Sequence, residues 1–162
     1  KGGETLSSLL PPRGSTSNKE QHMRFMMMVK GNKDTEAGVM PGVELLTAMG
    51  EYNDALMKAG VLLDGGGLHP TSKSIKVHFS NAGSTVVDGP FTEAKEIIAG
   101  YWLIEVKSRE EAIEWARRCP HPHGQGPAEL ELRPLFDAKD FAEAPPGLVE
   151  KEQAFRAKQA KG

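Results

Sequence analysis

The sequence predicts an α+β fold in which an antiparallel sheet carries two helices on one face. Three observations predict it. The 162-residue length suits one domain, short apolar runs are interrupted by two helical stretches, and the elements follow the order β-α-β-β-β-β-α-β. Without one extra hairpin, this order is the split βαβ, or ferredoxin-like, pattern. We expect the uncovered sheet face to be buried against a second copy of the chain.

The first half of the domain is predicted as strand, helix and strand. The run RFMMMVK at residues 24–30 is short enough for a buried strand, and the polar residues 32–38 follow as a loop. Pro41 suits the first turn of a helix that stops at Gly60. A short strand at residues 61–64 then ends in three consecutive glycines.

The second half is predicted as three further strands, one helix and a final strand. Ser108 and Glu111 match the S-x-x-E capping box, so a helix is expected to begin there and to stop at Pro120. The strands, identified by alternation and by aromatic and β-branched residues, are 75–79, 84–87, 100–107 and 128–132.

The composition excludes several classes of protein. Apolar residues make up 38% of the chain, and no apolar run approaches the roughly 20 residues of a membrane span. Twenty Lys and Arg residues against 22 Asp and Glu residues argue against a direct nucleic-acid partner. Cys119 is the single cysteine, which excludes an internal disulfide and a Cys-rich zinc site. We expect a soluble, cytoplasmic protein with no membrane partner.

The N-terminal segment, residues 1–22, is predicted to be a leader left by cloning, because it is rich in Gly, Ser and Pro. The chain starts at Lys1, and the pair His22-Met23 is typical of a cloning site, so Met23 is taken as the native start. In the alternative, the segment is a flexible arm that docks through Leu9 and Leu10.

The rest of the chain is divided into a domain and a tail. Residues 23–136 are predicted to form the domain. Residues 137–162 are predicted to be a polar tail, in which Leu148 and Phe155 on a charged stretch indicate one weak surface helix.

The motif Asp88-Gly89-Pro90-Phe91, followed by TEAKE, resembles the DGPF branch of the YCII-related family. The resemblance covers nearly everything from Met23 to about Arg156. Besides the opening strand, it includes GGGLHP at 65–70, GYWLIEV at 100–106, SREEAIEWARRCP at 108–120 and ELRPLF at 131–136.

The resemblance implies a ferredoxin-like fold paired as a dimeric α/β barrel, hence a homodimer. One relative is a dehydrochlorinase acting on a chlorinated hydroxyquinol through a His–Asp pair, which implies a small-molecule site near Asp88 with lyase-like acid/base chemistry and no cofactor. Members of the branch are also often encoded beside extracytoplasmic-function sigma factors. The alternative is therefore a non-catalytic accessory or regulatory module associated with such a factor.

Asp88 and His69 are the first candidate catalytic residues. Asp88 ends a strand before Gly-Pro, so its carboxylate either accepts turn amides or takes a proton at a cavity mouth. His69 follows the glycines and is either an exposed loop residue or a general acid/base. Relatives outside the branch carry the proposed catalytic histidine on the first helix. This chain has none there, so either Glu51, Tyr52 or His69 is expected to replace it, or the activity is different or absent.

Four further residues are expected to bind substrate. Gly66 and Gly67 allow a close approach of the backbone to a ligand. Phe91 belongs to the DGPF motif, and His78 faces opposite to its neighbours in its strand, either into a dimer cavity or outward. The remaining pair, His121 and His123, lacks a third ligand, so no metal site is predicted.

Overall fold

The computed structural model describes residues 22–92, 96–141 and 143–159. The strands are β1 (Met23–Lys30), β2 (Leu62–Gly67), β3 (Ile75–Ser80), β4 (Gly83–Asp88), β5 (Ile98–Val106) and β6 (Leu130–Pro134). The helices are α1 (Lys33–Glu36), α2 (Val43–Lys58), α3 (Arg109–Arg118) and α4 (Leu148–Gln159). The predicted α+β class is confirmed.

Four of the strands form one antiparallel sheet in the order β2-β5-β1-β6. The chain forms two βαβ units, β1-α2-β2 and β5-α3-β6. The second strand of each unit lies at an edge of the sheet, beside the first strand of the other unit. This is the arrangement expected of the split βαβ pattern. Strands β3 and β4 form a separate hairpin between the two units.

One face of the sheet and the helices α2 and α3 enclose the hydrophobic core. Alternation along β1 and β5 sends every second side chain to this face. The residues buried there are Phe25, Met27 and Val29 of β1, Trp102, Ile104 and Val106 of β5, Tyr52 and Leu56 of α2, and Ala112 and Trp115 of α3. Burial of these apolar side chains is the main force that holds the helices on the sheet.

The opposite face of the sheet, which we call the open face, is not covered by α2 or α3. Met26 and Met28 of β1 lie on this side, since they alternate with the core residue Met27; Met26 is partly exposed, whereas Met28 is buried. Leu103 of β5 pairs with Met26, and Tyr101 pairs with Met28. The open face therefore has an apolar centre.

The predicted loop at residues 32–38 is wrong in part, because it contains α1. Asn32 Oδ1 accepts a hydrogen bond from the Thr35 N–H at 2.9 Å, and Thr35 Oγ1 accepts one from the Asn32 N–H at 2.8 Å. This reciprocal cap satisfies two amides that a helix start leaves without partners, which stabilises a single helical turn.

The prediction that β2 ends before the glycines is also wrong. The strand continues through them, since Gly65, Gly66 and Gly67 pair with Trp102, Tyr101 and Gly100 of β5. Sequence patterns detect strands through side chains, which glycine lacks, whereas the ladder is made by the backbone.

The start of α3 follows the prediction. Ser108 Oγ accepts from the Glu111 N–H at 3.1 Å, while Glu111 Oε2 accepts from the Lys107 N–H at 2.7 Å. In the tail, α4 is exposed at Leu148 and Phe155. The predicted leader, apart from His22, lies outside the described residues, so its origin stays a prediction.

Candidate binding site on the open face of the sheet

Cross-strand pairing fixes which side chains meet on the open face. Each row runs across β2, β5, β1 and β6 in that order. The first row is Gly66, Tyr101, Met28 and Glu131, and the second is Asp64, Leu103, Met26 and Arg133. The polar residues lie at the two flanks, and the apolar ones lie between them.

Asp64 and Tyr101 form a polar pair at the β2 flank. The Tyr101 hydroxyl donates to Asp64 Oδ2 at 3.2 Å, and the Gly65 N–H donates to Asp64 Oδ1 at 2.8 Å. The negative charge of Asp64, together with this hydrogen bond, raises the pKa of Tyr101 above 10.0. Tyr101 is therefore a hydrogen-bond donor at neutral pH, and Asp64 is a fixed, exposed acceptor.

Gly66 leaves space beside this pair. It stands on the open face next to Tyr101, and a Cβ added to it would lie 3.9 Å from Tyr101 Cε1. Any larger side chain on Gly66 would extend over the phenol ring. The glycines of β2 thus keep the edge of the site free for a ligand to approach.

Three charged residues form a second cluster at the β6 flank. Lys30 Nζ lies 2.6 Å from Glu131 Oε2, and Arg133 Nε donates to Glu131 Oε1 at 2.9 Å. Hydrogen bonds from Lys30 and then Arg133 lower the pKa of Glu131 below 4.5. Two strand spacings separate Tyr101 from Glu131, a distance of roughly 10 Å.

A cavity of about 240 Å³ lies at one end of the open face, where α4 meets the sheet. Arg24 and Glu105, which are paired across β1 and β5, line it from the sheet side. From α4 it is lined by Glu152 and Arg156, whose guanidinium Nη2 lies 2.5 Å from Glu152 Oε1. These charges largely neutralise one another.

Asp88, the first predicted catalytic residue, lies at the base of the β3–β4 hairpin and is exposed. It pairs with Ile75 across the hairpin. Within the described part of the chain, no hydrogen bond or ion pair joins its carboxylate to His69, Glu51 or Tyr52. The structure therefore does not bring the predicted catalytic residues together.

The DGPF segment is held through its backbone. A Cβ on Gly89 would lie 1.7 Å from the Thr71 carbonyl oxygen, so only glycine fits. The Thr71 hydroxyl donates to Glu36 Oε2 at 2.6 Å and accepts from the Phe91 N–H at 3.0 Å. Glu36 and Thr71, which the sequence analysis missed, thus anchor the base of the hairpin.

Tyr52 is a core residue. Its side chain is buried, and its hydroxyl donates to the Trp115 carbonyl oxygen at 2.7 Å. Burial raises the pKa of Tyr52 far above its ordinary value, so the phenol stays protonated. Glu51, the neighbouring candidate, is exposed on α2. The geometry of Tyr52 is that of a packing residue.

Three of the other candidates lie outside the open face. His69 is exposed in the loop after β2, and His78 is exposed on β3. His78 and Asp88 lie on opposite faces of the hairpin, because Asp88 pairs with Ile75 and side chains alternate between the faces along β3 from Ile75 to His78. Phe91 packs under Lys76, whose Nζ is 4.0 Å from the ring centroid.

The two loop histidines are engaged with backbone carbonyl groups. His121 Nε2 lies 2.7 Å from the Gly126 oxygen, and His123 Nε2 lies 3.0 Å from the Lys30 oxygen. Among the described residues, no group of three His, Cys, Asp or Glu side chains is placed to hold a metal ion. Burial raises the pKa of the Cys119 thiol to about 11, which keeps it protonated.

Most polar residues of the open face were missed by the sequence analysis. Alternation in GYWLIEVK does place Tyr101 opposite to Trp102, a signal that was available. The approach of Asp64 to Tyr101 depends on the register of β2 against β5, which includes an irregularity between Leu62 and Asp64. No local pattern reveals that register.

Comparison with known proteins places the chain in a family. None of the helices in the described ranges is long and apolar enough to cross a membrane. A protein of Rhizobium meliloti (strain 1021), described as uncharacterised, is 34% identical over 79 residues, which are 49% of this chain and 63% of that protein. The match thus spans less than two thirds of that relative's length. The family model of the YCII-related domain matches residues 23–136, and the chain belongs to the YCII-related family.

Proposed function

We propose that the protein binds a small hydroxyl-bearing ring compound on the open face of the sheet, with Asp64 and Tyr101 as an acid/base pair. The observation that carries the proposal is the 3.2 Å contact between the Tyr101 hydroxyl and Asp64 Oδ2 beside the bare strand of glycines. Two donors fix the position of this exposed carboxylate, which places it to accept a hydrogen bond or a proton from a bound ligand.

The layout of the open face supports this ligand class. Met26 and Leu103 are half-buried and provide an apolar floor for a ring. A hydroxyl of the ligand above Asp64 would donate to the Asp64 carboxylate. A carboxylate of the ligand at the β6 flank would bind Arg133, because its guanidinium has five N–H groups and Glu131 accepts from only some of them.

The chemistry would follow from these contacts. Asp64 accepts a proton from the ligand's hydroxyl or from an acidic C–H group, and becomes the neutral acid. While Asp64 is charged, it raises the pKa of Tyr101 and keeps the phenol protonated; once Asp64 is neutral, the Tyr101 O–H can turn to an oxygen of the ligand that gains negative charge. In a lyase-like elimination, the electron pair of the broken O–H or C–H bond forms the new double bond, and the leaving group departs as an anion with the electron pair of its own bond. Asp64 then releases the proton to solvent.

We also propose that the chain is a member of the DGPF branch and pairs as a homodimer, in the manner of a dimeric α/β barrel. The support is the motif at residues 88–91 and the partly exposed apolar residues Met26 and Leu103 at the centre of the open face. A second sheet opposite the first would enclose the ligand and exclude water.

Binding of 4-hydroxybenzoate, measured by calorimetry or by thermal shift, tests the proposed site. This probe carries a hydroxyl and a carboxylate at opposite ends of one ring. We expect Asp64→Asn and Tyr101→Phe to weaken its binding about 10-fold or more. Benzoate, which lacks the hydroxyl, should bind the parent weakly and be insensitive to Asp64→Asn.

Two aspartate variants serve as comparisons. Asp54→Asn, on the exposed side of α2, should leave binding unchanged. Asp88→Asn should leave it unchanged as well if the site is on the open face. Loss of binding in Asp88→Asn with normal binding in Asp64→Asn would move the site to the hairpin and reject the proposal.

A further inference from the structure

The hairpin of β3 and β4 extends from the domain without packing on it. Every residue of both strands is exposed, and Phe79 has 84% of its surface accessible. The two strands pair only with each other among the described strands. A lone two-stranded hairpin is marginally stable in water, so this element needs a further surface to pack on.

The two faces of the hairpin differ in character. Ladder pairing places Lys76, His78 and Thr85 on one face, together with a single large apolar residue, Val87. The other, which we call the arm face, is formed by Ile75, Val77, Phe79 and Val86, with Ser84 near the tip and Asp88 at the base. Its four apolar side chains are each about half exposed or more.

A second apolar patch lies beside the base of the hairpin. Val39, Met40 and Val43, just before and at the start of α2, are 59%, 78% and 79% exposed. The hydrogen bonds from Thr71 to Glu36 tie the segment before this patch to the DGPF segment at the hairpin base. The patch thus begins three residues after Glu36, which is joined through Thr71 to Phe91 at the base of the hairpin.

We propose that the arm face packs against a second copy of this chain, in a two-fold contact that also covers the patch formed by Val39, Met40 and Val43. The inference rests on the proposed homodimer and adds a contact surface besides the open face of the sheet. Charged side chains are absent from the upper part of the arm face, so two copies meet there without repulsion between like charges.

The area supports a second copy as the occupant. A stable interface buries roughly 800 Å² per partner. An aromatic side chain such as Phe79 can bury about 150–250 Å². Together with three more apolar side chains on the arm face and three on the patch, the surface that each copy can bury is on the order of this interface area. A two-fold axis uses both surfaces of both chains, and thus leaves neither exposed.

The test is sedimentation velocity of the full chain and three variants over a wide range of protein concentration. Val77→Lys with Val86→Glu makes the arm face charged, while the new cross-strand pair of opposite charges preserves the hairpin. His78→Lys with Thr85→Glu is the matched control on the other face. Leu103→Lys probes the open face of the sheet.

We expect the parent and the His78/Thr85 control to dimerise alike and the Val77/Val86 variant to dimerise about 10-fold more weakly or worse. Parent-like dimerisation of the Val77/Val86 variant would overturn the inference. If Leu103→Lys alone then abolished the dimer, the proposed homodimer would stand without the arm. A parent protein that stays monomeric would overturn both the proposed homodimer and the arm contact. Binding of 4-hydroxybenzoate tests the ligand site separately.

Hydrogen exchange in the parent protein gives a second test that needs no substitution. Amides of β3 and β4 should exchange more slowly as protein concentration rises, while those of α2 near Lys58 should not change. Exchange in the hairpin that is independent of concentration, in a protein that dimerises, would also overturn the inference.

Discussion

The hydroxyl of Tyr101 and the carboxylate of Asp64 meet at 3.2 Å across two neighbouring strands of the sheet. Tyr101 stands beside the apolar centre of the open face, and Asp64 is held in addition by the Gly65 N–H. An exposed donor–acceptor pair of this kind contributes little to stability. Its consequences are therefore expected in titration and binding rather than in folding.

The first prediction concerns the titration of Tyr101. Asp64→Asn should lower the Tyr101 pKa towards its ordinary value, because it removes the negative charge that disfavours the phenolate. The measurement is the ultraviolet absorbance of tyrosinate against pH. Tyr101→Phe identifies which transition belongs to this residue, and an unchanged Tyr101 pKa in Asp64→Asn would contradict the contact.

The second prediction concerns acid stability at Glu131. Its pKa is lowered in the folded chain, so its contribution is complete above its ordinary value near 4.5 and is lost as pH falls below that value. The parent should lose stability in this range more steeply than Glu131→Gln, which cannot titrate. Urea unfolding at several pH values measures this, and parallel profiles would refute the prediction.

The third prediction concerns Gly89. Gly89→Ala should destabilise the fold by roughly 2–3 kcal/mol, because its Cβ would overlap the Thr71 carbonyl oxygen and force the hairpin base apart. Gly67→Ala is the matched control, since a Cβ there meets nothing within 4 Å. Its effect should stay within about 0.5 kcal/mol in chemical unfolding. Equal effects of the two substitutions would show that Gly89 is not sterically constrained.

The fourth prediction separates the two tyrosines. Tyr52→Phe should cost about 1–2 kcal/mol of unfolding free energy, because it leaves the buried Trp115 carbonyl without its hydrogen bond. Tyr101→Phe should have little effect on stability, since its hydroxyl is bonded only to an exposed carboxylate. The reverse ranking would contradict the assignment of Tyr52 to the core.

The architecture was largely predictable from local patterns. The short apolar run RFMMMVK and the aromatic and β-branched residues of GYWLIEVK identify the two central strands, and the S-x-x-E sequence at Ser108 marks the start of α3. Two features of the fold were not predicted. The cap between Asn32 and Thr35 makes a helix of a polar segment, and β2 runs through glycines that carry no strand signal.

The contacts of the proposed site on the open face were not predictable from the sequence, for a physical reason. Asp88 was predicted as a site residue because it belongs to a recognisable motif. The close contact in that motif, however, is between the Gly89 backbone and Thr71. Asp64 and Tyr101 are far apart in sequence, and only the register of β2 against β5 brings them together. Contacts set by tertiary pairing leave no local pattern.

The most direct test of the proposed site uses the three consecutive methionines of β1. Met26 and Met28 lie on the open face, whereas Met27 lies in the core on the opposite face. In a protein labelled with ¹³C at the methionine methyl groups, 4-hydroxybenzoate should shift the signal of Met26, which is partly exposed, in the parent and not in Asp64→Asn. The exposed Met57 of α2 should stay unchanged. Saturable binding that leaves Met26 unperturbed would contradict a ligand site on this face.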